Sequence, residues 1–267
     1  MPFVENNEFV EWVKGKTVAI VGPAASAEEF SNGDLIDSYD IVCRIKSLWV
    51  PEDKRVIYGS RLDVLYTDNN ETNDVLPGDF VSDHGDKRKI MINPRNAERR
   101  RSILSDDIKY VVSTYPRSEW FFDRFVQPLN EISLLTKVRI MPDQPYMSIR
   151  KETNRPNAGF SAIIDMVSLP AKEIFITGLD FYRSLYRPSY LNSLYTKETI
   201  LAWGADGTTT DGTPDKHNPD LQFKYFKNNI WNLDERIKVD PFMEMVLKDP
   251  RYEDFETAMS LLEKAND

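Results

Sequence analysis

Short apolar runs alternate with longer segments of helical period along this chain. The first run, Thr17–Val21, is β-branched and uninterrupted, which is typical of a strand buried on both faces. Gly22 and Pro23 end that run, and a second run covers residues 41–45. Similar runs predict further strands at residues 63–67, 89–94, 109–114, 138–141 and 173–178.

Helical spacing is typical of the segments between these strands. Residues 1–15 predict a leading helix with Phe9, Val10 and Val13 on one side, and residues 160–169 predict a mostly apolar helix that Pro170 ends. Other predicted helices cover residues 96–106, 118–129, 221–229, 237–247 and 252–265, whereas residues 49–58 are predicted as a loop. Strands that alternate with helices predict an α/β fold, a Rossmann-type sandwich with a largely parallel central sheet flanked by helices.

Composition and charge narrow the class of protein. The chain has 267 residues, of which 41% are hydrophobic, so residues 1–267 are predicted to form one well-packed domain. A net charge of −9 argues against a nucleic-acid partner, which usually requires a basic face. Cys43 is the single cysteine and there is no apolar run of about 18 residues, so we expect a cytoplasmic protein without a transmembrane segment.

Two places near the first two strands could bind a ligand. The loop Gly22-Pro23-Ala24-Ala25-Ser26 is made of small residues that let a ligand approach the backbone, although an ordinary strand-to-helix turn has the same composition. Arg44 and Lys46 lie on one face at the end of the second strand and could hold a phosphate. The structural alternative is an ion pair with Asp37 or Asp40.

A second informative stretch runs from residue 154 to His217. Residues 157–159 are small and lead into the apolar helix, whose start would direct N–H groups and a positive dipole end at a ligand. Residues 183–216 lack a clear period and are predicted to be a flexible lid. His217 precedes a helix and could act as a general base, although a lone histidine before a helix is more often a surface or capping residue. No zinc-type spacing is present, so no metal site is predicted.

Three motifs together resemble those of the sialyltransferases of glycosyltransferase family 29. The large motif is similar to Val21-Gly22 followed by Ile36-Asp37-Ser38-Tyr39-Asp40-Ile41-Val42-Cys43-Arg44. The small motif is similar to Pro156-Asn157-Ala158-Gly159 with Glu173-Ile174-Phe175-Ile176-Thr177-Gly178, and the very small motif to His217 with Gln222 in place of glutamate. They occur in the family's order.

The resemblance implies a GT-A-like fold and an inverting, metal-independent transfer of an acidic sugar from a CMP-activated donor to a glycan or glycolipid. It implies no cofactor beyond that donor. By position, His217 would be the catalytic base. The donor-binding residues would be Gly22, Ala24, Ser26, Asn157, Ala158, Gly159 and Gly178. Pro23 in the same loop and the two cations Arg44 and Lys46 are further candidates for the donor site. Candidate residues of the acceptor side are Tyr182, Tyr186, Arg187 and Tyr190. The phosphate-binding histidine of the family's third motif is not found here, and Tyr186, Tyr190 or Arg187 could replace it.

Departures from the family pattern point to a branch and to two alternatives. Pro23 and Lys46 stand where family members commonly carry asparagine, which indicates a bacterial or viral branch that uses sialic acid, Kdo or a related sugar. The first alternative is a non-catalytic relative that binds nucleotide sugars or glycans. The second is an unrelated Rossmann-like enzyme that uses nucleotides.

Overall fold

The computed structural model of the protein describes residues 6–46, 50–67, 71–72, 90–91, 108–114, 137–187, 197–198 and 217–265. Nine strands occur among these residues: β1 (Thr17–Val21), β2 (Ile41–Ile45), β3 (Val64–Thr67), β4 (Glu71–Thr72), β5 (Ile90–Met91), β6 (Tyr110–Ser113), β7 (Lys137–Ile140), β8 (Glu173–Thr177) and β9 (Ile237–Val239). Seven of them form one parallel sheet, in the order β7-β6-β3-β2-β1-β8-β9. Strands β4 and β5 pair antiparallel in a separate sheet.

The strand order reverses between β1 and β8. From β1 the chain moves to one edge of the sheet through β2, β3, β6 and β7, and it then returns to place β8 against the other side of β1. Val21 at the end of β1 lies opposite Thr177 at the end of β8. Ligands of open α/β sheets bind beyond the carboxyl ends of the strands at such a reversal. The residues that follow β1 and β8 therefore lie where a ligand is expected.

Helices cover both faces of the parallel sheet. The described helices are α1 (Asn6–Val13), α2 (Gly33–Ser38), α3 (Arg55–Tyr58), α4 (Asp143–Thr153), α5 (Ala158–Val167), α6 (Pro219–Tyr225), α7 (Pro241–Lys248) and α8 (Phe255–Ala265). Successive side chains of a strand point to opposite faces, so Val18 packs with α1 and α5 while Ala19 packs with α2 and α3. A π-helical turn, Phe226–Trp231, extends α6. None of the described helices is long and apolar enough to cross a membrane.

The α/β class and the parallel sheet are confirmed, with four corrections to individual elements. Residues 237–239 form β9 instead of starting a helix, because Ile237 is buried beside Ile174 while Lys238 points to solvent. The helix begins only after Asp240, whose carboxylate accepts from the Met243 N–H and caps α7. Strand β5 lies outside the main sheet. Helix α4 was not predicted. Helix α3 occupies part of residues 49–58, which were predicted as a loop. The helices predicted at 96–106 and 118–129 lie outside the described residues.

A buried ion pair joins β7 to α5 beneath the sheet. Both Arg139 and Asp165 are almost completely buried. Arg139 Nη2 donates to Asp165 Oδ1 at 2.9 Å, and Arg139 Nη1 donates to Asp165 Oδ2. The Tyr66 hydroxyl on β3 also donates to Asp165, at 2.8 Å. Since each charge is desolvated, the pair holds its elements in register only while both partners are present.

Removal of the carboxylate is expected to destabilise the protein strongly. Asp165→Ala leaves the Arg139 guanidinium buried without its counter-ion, which typically lowers the free energy of unfolding by about 3–5 kcal/mol. Urea unfolding measures this change. The control is Glu244→Ala, which removes an exposed partner of Lys248 and should cost less than about 1 kcal/mol. A loss in Asp165→Ala as small as in the control would contradict the structural role of the pair.

Candidate functional site

His217 is oriented by a backbone carbonyl. It pairs with Asn154 in an isolated antiparallel bridge, and its Nδ1 lies 2.8 Å from the Arg155 carbonyl oxygen. A carbonyl oxygen only accepts hydrogen bonds, so Nδ1 carries the proton and, in the neutral ring, Nε2 has the lone pair. The side chain is half-buried. His217 therefore has a fixed orientation and the tautomer in which Nε2 can take a proton.

Gln222 joins the same carbonyl from the first helical turns of α6. Its Nε2 donates to the Arg155 oxygen at 3.0 Å, and its Oε1 lies 3.4 Å from the Asn157 nitrogen. The side chain is completely buried. The helix is capped by Asn218, whose Oδ1 accepts from two N–H groups, so His217 is not the capping residue. The histidine and α6 are thus attached directly to the segment that leads into α5.

The first turn of α5 presents N–H groups for an anion. Asn157 is the N-cap, with its Oδ1 accepting from the Phe160 N–H at 2.7 Å. Among the described residues, the N–H groups of Ala158 and Gly159 have no hydrogen-bond acceptor. Such groups, together with the positive end of the helix dipole, favour a phosphate or carboxylate. The predicted small-residue turn 157–159 is therefore a capped helix start with two N–H groups left over, and anion binding there stays a prediction.

Three predicted donor-site glycines lie at the strand reversal, where no side chain would fit. A Cβ on Gly22 would come within 2.2 Å of the Gly178 carbonyl oxygen, and a Cβ on Gly159 within 2.5 Å of the Leu179 side chain. Gly178 has φ +65°, a left-handed conformation that glycine adopts without strain. These glycines bring β1, β8 and α5 into close contact around Leu179. Their presence is explained by packing, and their contact with a nucleotide stays a prediction.

The loop of residues 22–26, named here the 22–26 loop, makes all its N–H hydrogen bonds within the protein. The acceptors are Thr177 O for Gly22, Gly178 O for Ala24, Leu185 O for Ala25 and Ser184 Oγ for Ser26. Residues 180–187, which we call the strap, supply two of these acceptors, and the Arg187 N–H donates back to Pro23 O. The strap therefore lies along the loop as an antiparallel neighbour, with Ala24 opposite Tyr186. That Pro23, Ala24 and Ser26 line the donor stays a prediction.

Asp180 connects the strap to the 22–26 loop from a fully buried position. Its Oδ2 accepts from Ser26 Oγ at 2.9 Å, from the Ser184 N–H at 3.1 Å, and from Ser184 Oγ. Burial, with a smaller contribution from Asp240, raises the pKa of the Asp180 carboxyl to about 6, despite the hydrogen bonds from Ser184 and Ser26. In the sequence, the signs of this cluster are Ser26 in the small-residue loop and an acidic residue three positions after the end of β8.

Tyr182 and Arg183 attach the strap to both helices of the site. Tyr182, predicted for the acceptor side, is buried and its hydroxyl accepts from Asn157 Nδ2 at 2.9 Å. Arg183, which the sequence reasoning missed, is completely buried and donates to Asp220 Oδ1 on α6 at 2.8 Å. Its guanidinium also lies 4.3 Å from the Phe223 ring centroid. The described beginning of the predicted flexible lid, residues 183–187, is therefore anchored in the body of the protein.

The other predicted site residues lie apart from His217 or outside the described chain. Arg44 is buried, and its Nε and Nη2 donate to the carbonyl oxygens of Arg61 and Tyr58. Lys46 is half-buried with φ +53°, and its N–H donates to Tyr66 O. Arg187 is buried with its guanidinium over the Tyr58 ring. Phosphate binding by these cations stays a prediction. Tyr190 and residues 188–196 and 199–216 lie outside the described residues.

Within the part of the chain that the structure describes, no three His, Cys, Asp or Glu side chains come together as a group that could hold a metal ion. Metal independence remains a proposal to be tested by experiment.

Comparisons with known proteins give partial structural similarity at low identity. No protein-family model matches the sequence, and no curated protein matches it. One similar solved structure is a mammalian sialyltransferase in complex with Gal-β-1-3GalNAc-ortho-nitrophenol, with 13% identity, a TM-score of 0.44, and coverage of 86% of this chain and 71% of that chain. Another is a mammalian sialyltransferase with 12% identity and a TM-score of 0.46, covering 90% and 80% respectively. At this identity the likeness concerns the path of the chain and not the side chains of a site.

The raised pKa of the buried Asp180 carboxyl predicts how the stability of the folded protein changes with pH. Its pKa is about 6 in the folded protein, whereas an aspartate in an unfolded chain has a pKa of about 3.9. The folded state therefore binds this proton more tightly than the unfolded state does. The resulting contribution to the free energy of unfolding is complete below about pH 4 and is lost as pH rises through about 6. Between about pH 4.5 and 7.5 the loss amounts to about 2 kcal/mol.

Urea unfolding of the wild type and of Asp180→Asn at these two pH values measures the effect. The variant has no carboxyl to titrate, so its unfolding free energy should fall less than that of the wild type by about 2 kcal/mol. The same fall in both proteins would show that Asp180 has an ordinary pKa.

Proposed function

We propose that this protein is a glycosyltransferase of the sialyltransferase type. It transfers an acidic sugar, sialic acid or a Kdo-like sugar, from a CMP-activated donor to a hydroxyl of a glycan or glycolipid. The transfer inverts the anomeric centre and requires no metal ion. A GT-A-like, single-domain fold of a bacterial or viral branch is part of the same proposal.

The observation that supports the proposal most is that a candidate base, His217, is hydrogen-bonded to the segment that leads directly into the start of α5. His217 Nδ1 and Gln222 Nε2 both meet the Arg155 carbonyl, two residues before the Asn157 cap of α5. The N–H groups of Ala158 and Gly159 follow at once in the chain. A transferase that uses a sugar nucleotide needs these two functions side by side: a base for the acceptor hydroxyl and donors for the departing phosphate.

The proposed reaction uses the two functions in a single displacement. His217 Nε2 takes the proton of the acceptor hydroxyl as its oxygen forms a bond to the anomeric carbon of the donor sugar. The bond between that carbon and the phosphate oxygen of CMP breaks, and its electron pair leaves with CMP. The N–H groups at the start of α5 stabilise the charge that develops on the phosphate, a task that a metal ion performs in other enzymes.

Side chains of the strap support the same assignment. Tyr182 holds the Asn157 amide, which leaves the cap oxygen directed at the Phe160 N–H in the first turn of α5. The donor-lining residues at the strand reversal are proposed to be Gly22, Pro23, Ala24, Ser26 and Gly178, with Arg44 and Lys46 beyond them. Tyr186, Arg187 and Tyr190 are proposed for the acceptor side.

The experiment measures release of CMP from CMP-sialic acid and from CMP-Kdo in the presence of EDTA. His217→Ala should reduce turnover about a hundred- to ten-thousandfold, the usual contribution of a general base. CMP binding should be retained, because α5 and not the imidazole holds the phosphate. The matched control is Lys224→Ala, which changes an exposed side chain of the same helix and should leave turnover unchanged.

Three outcomes would count against the proposal. Wild-type turnover in His217→Ala would remove this histidine from the mechanism. Loss of activity in EDTA would contradict the metal-independent reaction. CMP binding without any turnover in the wild type would favour the non-catalytic relative, and selective binding of another nucleotide would favour an unrelated Rossmann-like enzyme.

A further inference from the structure

Ser26, Asp180 and Ser184 form a closed ring of hydrogen bonds between two segments far apart in the chain. The Ser26 N–H donates to Ser184 Oγ at 2.8 Å, Ser184 Oγ donates to Asp180 Oδ2, and Ser26 Oγ donates to the same oxygen at 2.9 Å. Asp180 and Ser26 are each only 2% exposed. The ring thus satisfies both donors of Ser26 and is the side-chain contact that holds the strap on the 22–26 loop.

Burial of the Asp180 carboxylate lowers the stability of the folded protein in two ways. Asp180 Oδ1 is buried and has no hydrogen-bond partner among the described residues. A buried acceptor without a partner is unfavourable, as is a carboxylate beside the second buried acid, Asp240. A hydrophobic residue would avoid both penalties but would leave the Ser26 hydroxyl and the Ser184 N–H without their acceptor, so the aspartate is explained by the ring and not by apolar packing.

The strap itself is strained and depends on its anchors. Phe181, Tyr182 and Leu185 all have positive φ, at 54°, 68° and 62°. Residues other than glycine adopt such a conformation only where the surroundings fix it, and such strain is concentrated at binding sites. Asp180 directly precedes this run, and Ser184 lies inside it. The ring is therefore placed to hold the strap in its strained conformation.

We propose that Asp180 is a positioning residue for nucleotide binding, acting through Ser26 and Ser184. By fixing the strap it places the Tyr182 hydroxyl 2.9 Å from Asn157 Nδ2, and Asn157 in turn caps the helix start that is proposed to bind the phosphate. Asp180 also fixes the 22–26 loop at the strand reversal. This role rests on the proposed function, since it assumes that a nucleotide occupies the space between the loop and α5. The ring of His217 is hydrogen-bonded to the Arg155 carbonyl, which lies outside the strap.

The test compares two substitutions of Ser184, which is half-buried. Ser184→Ala removes the hydroxyl that links Ser26 to Asp180, and Ser184→Thr keeps it. Isothermal titration calorimetry with CMP at pH 7.5 should show a Kd about tenfold higher in Ser184→Ala, as expected for a lost buried hydrogen bond to a charged group. Ser184→Thr should restore the wild-type Kd. Asp180→Asn, if folded by circular dichroism, should weaken binding as Ser184→Ala does.

Ser260→Ala is the control, because it removes a hydroxyl that is bonded to a helix carbonyl elsewhere on the surface. A wild-type Kd in Ser184→Ala, or an equal rise in Ser184→Thr and Ser260→Ala, would overturn the role of the ring. A variant that melts at a lower temperature but binds CMP normally would also overturn it, since the ring would then be structural only. Failure of the wild type itself to bind CMP would instead refute the proposed function, and this role with it.

Discussion

The carbonyl oxygen of Arg155 accepts hydrogen bonds from two side chains of a distant segment, His217 at 2.8 Å and Gln222 at 3.0 Å. The contact with His217 sets the tautomer of the histidine, and the contact with Gln222 attaches α6 to the segment just before α5. Because the carbonyl belongs to the chain just before the Asn157 cap, any shift of that segment moves the base and the anion site together. The geometry of the candidate site therefore depends on this one backbone group more than on any single side chain.

Close backbone packing at the strand reversal provides the rigid support behind this site. Gly22 and Gly178 let the ends of β1 and β8 approach until the loops after them share hydrogen bonds, and Leu179 fills the space against Gly159. The strap then adds Asp180 on the loop side and Arg183 on the side of α6. Burying these charged groups costs free energy of desolvation. Such a cost is expected at a functional site, where the position of a group matters more than the stability of the fold.

Local patterns in the sequence predicted much of the sheet because its strands are buried on both faces and read as uninterrupted apolar runs. Thr17–Val21 and Ile41–Ile45 form strands with the predicted bounds, and the start of α5 was found from its small residues. Ile237–Val239 was misread because three alternating residues are too few to separate a strand from a helix. The contacts of Asp180, Arg183 and Gln222 join residues far apart in sequence, and a local pattern contains no record of such pairs.

Backbone amide chemical shifts during a titration with CMP test the central claim most directly, since the claim is that the start of α5 receives the phosphate beside His217. The account predicts that the amides of Ala158 and Gly159 shift most on addition of CMP, and that cytidine without phosphate leaves them nearly unchanged. The His217 ring should respond to the same titration because it shares the Arg155 carbonyl. Saturable CMP binding that leaves Ala158 and Gly159 unshifted would contradict the account.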